Sequence, residues 1–281
     1  MDPKLTHDTA LPQDDLSAIS YLAKPSGACC LEGNIHSGSP RGSFITIRDI
    51  ETYTVQPLEP SQSDEPKVLL FFPDIWGMYP NSLLIMDGFA DKGYTVLGVD
   101  YFRGDPVWKH RKHKSDKETE PGFDYDAWKE KHRAFADEAV PQWVQSVKEK
   151  YAKEKPGARF ACVGYCFGAP YVCDQLSGEG ASICEVGAFA HPAFLKEHHF
   201  RNLKRPLYLG CAETDFTFDT ESRNRAVDIM HEVKAKYELQ LFYGVEHGFA
   251  VRGDMEDRYE RWVKERCFEG VTGWCDFWLG A

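Results

Sequence analysis

No stretch of the chain comes near the ~18 uninterrupted apolar residues that a membrane-spanning helix needs. The start, Met1-Asp2-Pro3-Lys4, carries no basic region followed by an apolar run, so no secretory leader is expected. An excess of basic charge is lacking too. The 33 lysines and arginines are outnumbered by 44 aspartates and glutamates, for a formal net charge of −11. This excludes the basic footprint of a nucleic-acid partner and gives no attraction to an anionic membrane. The one basic cluster, Lys109-His110-Arg111-Lys112-His113-Lys114, runs straight into Asp116, Glu118 and Glu120 and reads as a solvated charged loop. Internal repeats and low-complexity tracts are also lacking.

Cysteine is not scarce, but the spacing that would make it structural is. The nine cysteines are an odd number, so at least one thiol stays unpaired within the chain. With no leader, they point to a reducing, cytoplasmic setting. Cys162, Cys184 and Cys211 lie in apolar stretches and read as small core residues. Cys29 and Cys30 with His36 lack the two-pair spacing of a zinc site, so no metal and no cofactor is expected. The 281 residues are 42% hydrophobic. No staple is needed at that size, because a chain of about 300 residues buries about 75% of its unfolded surface.

Residues 1–40 are polar and rich in Pro, Gly and Ser, and read as an extended or partly ordered arm. Residues 46–55 resemble a strand pair, and residues 59–66 a surface turn. A strand–helix rhythm follows, making residues 41–281 a single domain. Strands are expected at 68–72, 95–99, 159–163, 186–190, 206–211 and 239–243. Helices are expected at 82–92, ending at Gly93, then at 125–151 with a break near Pro141, and at 167–176, 220–237 and 255–279. Residues 104–124 form a polar insertion. This alternation predicts an α/β fold, a mostly parallel sheet with helices on both faces. In such sheets ligands bind where the strands end at their carboxyl side.

Gly164-Tyr165-Cys166-Phe167-Gly168 sits at such an end, between a strand and a helix. Its serine form, G-x-S-x-G, is a sharp turn that lifts a nucleophile above the sheet. A helix N-terminus and a histidine partner both favour the thiolate. The pattern therefore marks Cys166 as a nucleophile and the Phe167 backbone N–H as an oxyanion donor. The expected chain order of nucleophile, acid and histidine selects Asp215 and His247, each just past a strand. Glu213 and Asp219 are alternatives to Asp215, and Asp219 also suits a helix cap. The loop Pro73-Asp74-Ile75-Trp76-Gly77-Met78-Tyr79 offers a second oxyanion donor, the Ile75 N–H. It also offers an acid, Asp74, that either forms the turn or tunes the thiol. Trp76, Met78, Tyr79 and Phe249 are candidate pocket walls, and His191 either lines the pocket or packs structurally. His198 and His199 read as loop residues.

These segments, with Asp100-Tyr101-Phe102-Arg103-Gly104, Ala212-Glu213-Thr214-Asp215 and Glu246-His247-Gly248-Phe249-Ala250, resemble the dienelactone hydrolase family over residues 44–281. The run Cys29-Cys30-Leu31-Glu32-Gly33, followed by His36-Ser37-Gly38 and Pro40-Arg41-Gly42, resembles the arm of the family's fungal branch. The resemblance implies an α/β-hydrolase fold and a Cys166–His247–Asp215 triad. It implies hydrolysis of small esters or lactones through a thioester at Cys166. Asp74 stands where the family usually has a glutamate that helps activate the thiol. Arg103 and, with a one-residue offset, Arg252 match two arginines that hold a substrate carboxylate.

The oligomeric state is left open, a homodimer included. Two other functions remain. The same thiol and histidine could promote a rearrangement in secondary metabolism. A ligand-binding or redox-sensing protein could also use the scaffold without catalysis. A sensor needs a resolving cysteine, and neither Cys162, within a strand, nor Cys173, two turns along a helix, is expected to reach Cys166.

Overall fold

The computed structural model describes residues 21–59, 65–111 and 118–280. The first half of the expected arm, part of the turn at 59–66, and Lys112, His113 and Lys114 of the basic cluster lie outside the described residues. Among the described residues no helix is long and apolar enough to cross a membrane.

The described residues fold around one eight-stranded sheet of order β1-β2-β4-β3-β5-β6-β7-β8. β1 (Ser43–Ile47) and β2 (Ile50–Val55) form an antiparallel hairpin. Its two-residue turn places Arg48 and Asp49 at φ 47° and 59°, the left-handed pair that matches the strand twist. β2 then runs antiparallel to β4 (Tyr94–Val99). From there the sheet is parallel through β3 (Lys67–Phe72), β5 (Arg159–Tyr165), β6 (Val186–Ala190), β7 (Leu207–Thr214) and β8 (Tyr237–Glu246). β3 is an unbroken apolar run because it is central: Val68 to Phe72 are all buried, with Leu70 registered against Leu97 on one side and Cys162 on the other.

The helices are α1 (Pro80–Asp91), α2 (Tyr125–Glu154), α3 (Ala169–Leu176), α4 (Glu197–Arg201), α5 (Thr220–Glu232), α6 (Phe249–Arg252) and α7 (Arg258–Leu279). Among these, α2, α4 and α5 depart from the sequence expectation, as does the short α6. α2 is continuous through Pro141. The proline sits on the exposed face, so the carbonyl it leaves unpaired, on exposed Asp137, can turn to water. Meanwhile Val140, Trp143, Val144 and Val147 hold the other face on the core. α5 stops five residues early because Lys234 takes φ 55°, which frees the chain for β8. His198 and His199 are on α4, and His199 is buried, accepting the Lys196 N–H at 2.8 Å.

The described half of the arm crosses the carboxyl ends of the strands. Leu22 and Ala23 donate to the Leu195 carbonyl after β6, and Lys24 donates to the Thr217 carbonyl after β7. A 3₁₀ turn, Ala28–Leu31, buries Cys30 and Leu31. Asn34 then donates to the Arg252 carbonyl, and Asn81 at the start of α1 donates to the Asn34 carbonyl at 2.8 Å.

β5 and α3 meet closely at the glycine-flanked turn. A Cβ on Gly168 would run into the Phe72 carbonyl, and one on Gly164 would lie 2.6 Å from the Gly168 carbonyl oxygen. Backbone cannot yield as a side-chain tip does, so overpacking here costs at the upper end of about 1–3 kcal/mol. Gly168→Ala is expected to lower the unfolding free energy by that amount, read as a lower urea midpoint at unchanged m-value.

Candidate functional site

β5 ends at Tyr165, and the next residue, Cys166, takes φ 49° before a 3₁₀ turn leads into α3. A non-glycine residue in this region is strained, and such strain gathers at functional turns. The turn carries the buried Cys166 thiol out of the sheet just beyond β5, as the strand–turn–helix pattern predicted. The Phe167 backbone is the next unit of the same turn, and buried Ile75 lies in the loop after β3.

His247 follows β8 and Asp215 follows β7, and their side chains meet. His247 Nδ1 is 3.0 Å from both Asp215 carboxylate oxygens, and both side chains are almost fully buried. Thr217 completes the bracket. Its hydroxyl lies 2.7 Å from Asp215 Oδ1, 2.7 Å from the Pro192 carbonyl and 3.0 Å from His247 Nδ1, and its N–H donates to Asp215 Oδ1 at 2.8 Å. Burial by itself would discharge both partners. Yet the imidazole is held well above its usual range by Asp215 and Cys30, and burial of the carboxyl is outweighed by His247 and Thr217, which keep it below the usual range. The two rival acids have other tasks: Glu213 accepts the Gly244 N–H, and Asp219 caps α5 through the Ser222 N–H.

The far ring nitrogen of His247 meets a residue that the sequence reading left out of the site. Cys30 Sγ, from the arm, is 3.3 Å from His247 Nε2 and 3.7 Å from Cys166 Sγ. The Trp76 indole N–H donates to the Cys30 carbonyl at 3.0 Å and fixes its depth. The Cys29, Cys30 and His247 donor atoms lie within 4.8 Å of one another, a spacing that would admit a soft cation, although the thiol and imidazole contacts already pair them. His36, the histidine first considered with these cysteines, sits elsewhere. It meets the Gly253 carbonyl through Nε2 and Lys264 through Nδ1. The only cue to Cys30 in the sequence was its place in an arm motif, because 217 residues separate it from His247.

Asp74 is buried, accepts the Trp76 N–H at 2.9 Å and forms a buried ion pair with Arg252. Burial pushes its carboxyl up, opposed by Arg252. The Arg252 guanidinium also donates to the Glu32 carbonyl at 2.8 Å and lies over the Trp76 ring, and the Tyr79 ring is 5.0 Å from the same indole. Arg103 is not brought to this cluster: it is exposed and lies over Phe135 of α2. The arginine that reaches Trp76 instead is Arg111, buried at 4.7 Å from the ring, which corrects the reading of its cluster as wholly solvated. His191 is fully buried with neither ring nitrogen hydrogen-bonded among the described residues. Its ring lies 4.9 Å from that of His247 and 5.8 Å from Phe249. Burial and the neighbouring charges of His247 and Arg252 hold it neutral. A cleft of about 440 Å³ is lined by His247, Phe249, Arg252 and the arm residues Glu32 and Gly33.

A model of the dienelactone hydrolase family matches residues 50–277. Dienlactone hydrolase 1 of Gibberella moniliformis is 43% identical over 92% of this chain and 96% of its own length. Hydrolase tropI of Talaromyces stipitatus is 34% identical, over 89% and 95%. A solved dienelactone hydrolase-like promiscuous phosphotriesterase from metagenomic libraries superposes with a TM-score of 0.59, at 14% identity, over 85% of this chain and 97% of its own. At that identity it speaks to the fold alone.

Two measurements follow from the buried charges. Asp74→Ala leaves Arg252 without its counter-charge and is expected to cost roughly 3–5 kcal/mol in chemical denaturation. For the Asp215–His247 pair the signs differ. The depressed carboxyl contributes stability above about pH 4 that is lost as pH falls through its folded value. The raised imidazole contributes stability below about pH 6.5 that is lost as pH rises through its folded value. The stability gap between wild type and Asp215→Asn is therefore expected to be widest between these limits and to narrow on both sides in denaturation series against pH.

Proposed function

The chain belongs to the dienelactone hydrolase family and is a hydrolase, and from that premise we propose that it opens small esters or lactones by acyl transfer to Cys166. The observation that carries the reading is the Cys166 thiol on a left-handed turn at the end of β5, touching the same Cys30 sulfur as the imidazole of a buried His247–Asp215–Thr217 chain.

The Cys166 thiolate, its proton taken up by His247, attacks the substrate carbonyl carbon. The Ile75 and Phe167 amides stabilise the oxyanion, each donor being worth about a hundred- to thousandfold in rate. The alcohol or enol leaves with the proton from His247, and the acyl group stays on sulfur as a thioester. Water, deprotonated by His247, attacks the thioester, and the carboxylic acid departs. Asp215 and Thr217 keep the imidazole in one tautomer and orientation throughout. Because Cys30 stands between thiol and imidazole, its side chain gives way when substrate enters. Trp76, Tyr79, His191 and Phe249 shape the apolar wall. Arg252, which lines the cleft and is paired with Asp74, is the group that would draw a substrate carboxylate, a task for which exposed Arg103 is misplaced. Residues 41–281 act as one catalytic domain with residues 1–40 as its arm. It works without a cofactor in the cytoplasm, on a small molecule rather than nucleic acid or membrane.

Cys166→Ala is expected to lower turnover of small activated esters and lactones by about three orders of magnitude or more. Wild type quenched during turnover should carry the acyl mass on Cys166. Hydrolysis in labelled water places solvent oxygen in the acid product. Full turnover by Cys166→Ala would overturn the assignment, and product without solvent oxygen would identify a rearrangement.

A further inference from the structure

Among the described residues, Cys30 is the one whose side chain makes hydrogen-bond contacts with both Cys166 Sγ and the free ring nitrogen of His247. A thiol that resolves an oxidised cysteine needs these two contacts: van der Waals reach to the target sulfur and a base for its own proton. The other buried cysteines lack them. Cys162 faces the Val186 carbonyl within the sheet, and Cys173 lies along α3. The arm also holds Cys30 in place rather than presenting it in passing. The turn is fixed by the Trp76 indole, by Arg252 on the Glu32 carbonyl, and by Tyr125 and Lys129 on Ser26.

We propose that Cys30 and Cys166 form a reversible disulfide that seals the catalytic thiol under the arm. The oxidant is a peroxide. The Cys166 thiolate attacks its O–O bond, which breaks, leaving Cys166 as a sulfenic acid, and the departing hydroxide or alkoxide takes the His247 proton and leaves as water or an alcohol, which frees Nε2. His247 Nε2 then takes the Cys30 proton, and the Cys30 sulfur attacks the Cys166 sulfur. The S–S bond forms, the S–OH bond breaks, and hydroxide leaves as water with that proton. Overall two thiols are oxidised and one peroxide is reduced. A dithiol reverses the bond by exchange. The sulfenic acid is consumed by its neighbour before a second peroxide can carry it to the irreversible sulfinic acid. The step that returns the thiol is therefore built into the site. The consequence for activity rests on Cys166 being the nucleophile, whereas the bond itself does not.

The test is peroxide treatment of the full-length, reduced protein, read by intact mass and by peptide mapping without reduction. Wild type is expected to lose about 2 Da, to yield a peptide pair joined through Cys30 and Cys166, and to lose ester turnover at least about tenfold, with recovery in dithiothreitol. Cys30→Ser under the same peroxide should instead gain about 32 Da on Cys166, and its turnover should not recover. The proposal is overturned if wild-type Cys166 goes directly to the sulfinic acid, or if the bond found is Cys29–Cys30 or Cys29–Cys166. Failure of the catalytic reading is seen separately, as unimpaired ester turnover in Cys166→Ala, and it leaves the mass result standing.

Discussion

The Arg252 guanidinium is buried where three separate pieces of chain meet. Asp74 comes from the loop after β3, the Glu32 carbonyl from the arm, and Arg252 itself from the short helix after β8. A buried cation needs a counter-charge and filled hydrogen bonds, and it accepts few substitutes. That demand fixes the loop that carries Ile75 and Trp76. Trp76 in turn fixes the carbonyl of Cys30, and through it the thiol that stands against Cys166 and His247. The geometry of the proposed reacting groups thus depends on a charge outside them.

Around that charge the site sorts its ionisable groups by partner rather than by burial alone. His247 and His191 are both enclosed and their rings are neighbours, yet one is held charged and the other neutral. The difference is Asp215, which His247 reaches and His191 does not. The charge therefore stands on one ring, beside the Cys30 thiol, and does not spread to its neighbour.

The sheet, its order of strands and helices, and the strand-end positions of Cys166, Asp215 and His247 were legible in the sequence. Each rests on local signals: an apolar run for β3, a glycine pair for the turn, a short loop after each of two late strands. Three features were not. Pro141 reads as a break in any isolated helix, and only the packing of Trp143 and Val147 against the sheet shows why the helix continues. Arg103 has the right neighbours in sequence but turns outward to Phe135, while Arg111, in a run of like charges, turns inward to Trp76. Cys30 belonged to a polar arm whose path no periodicity describes. Its role depends on contacts 136 and 217 residues away, which only the folded chain brings together.

Those separations also set an order in time. A chain made from its N-terminus delivers Cys30 217 residues before His247, so the arm has no such imidazole to meet until β8 has been made. Arg252, which anchors the arm, emerges later still. Through that interval two thiols destined for the same buried place are carried exposed on an unfinished chain. The assembled site is therefore among the last parts of the molecule to close, and its closure reports that the whole sheet beneath it has formed.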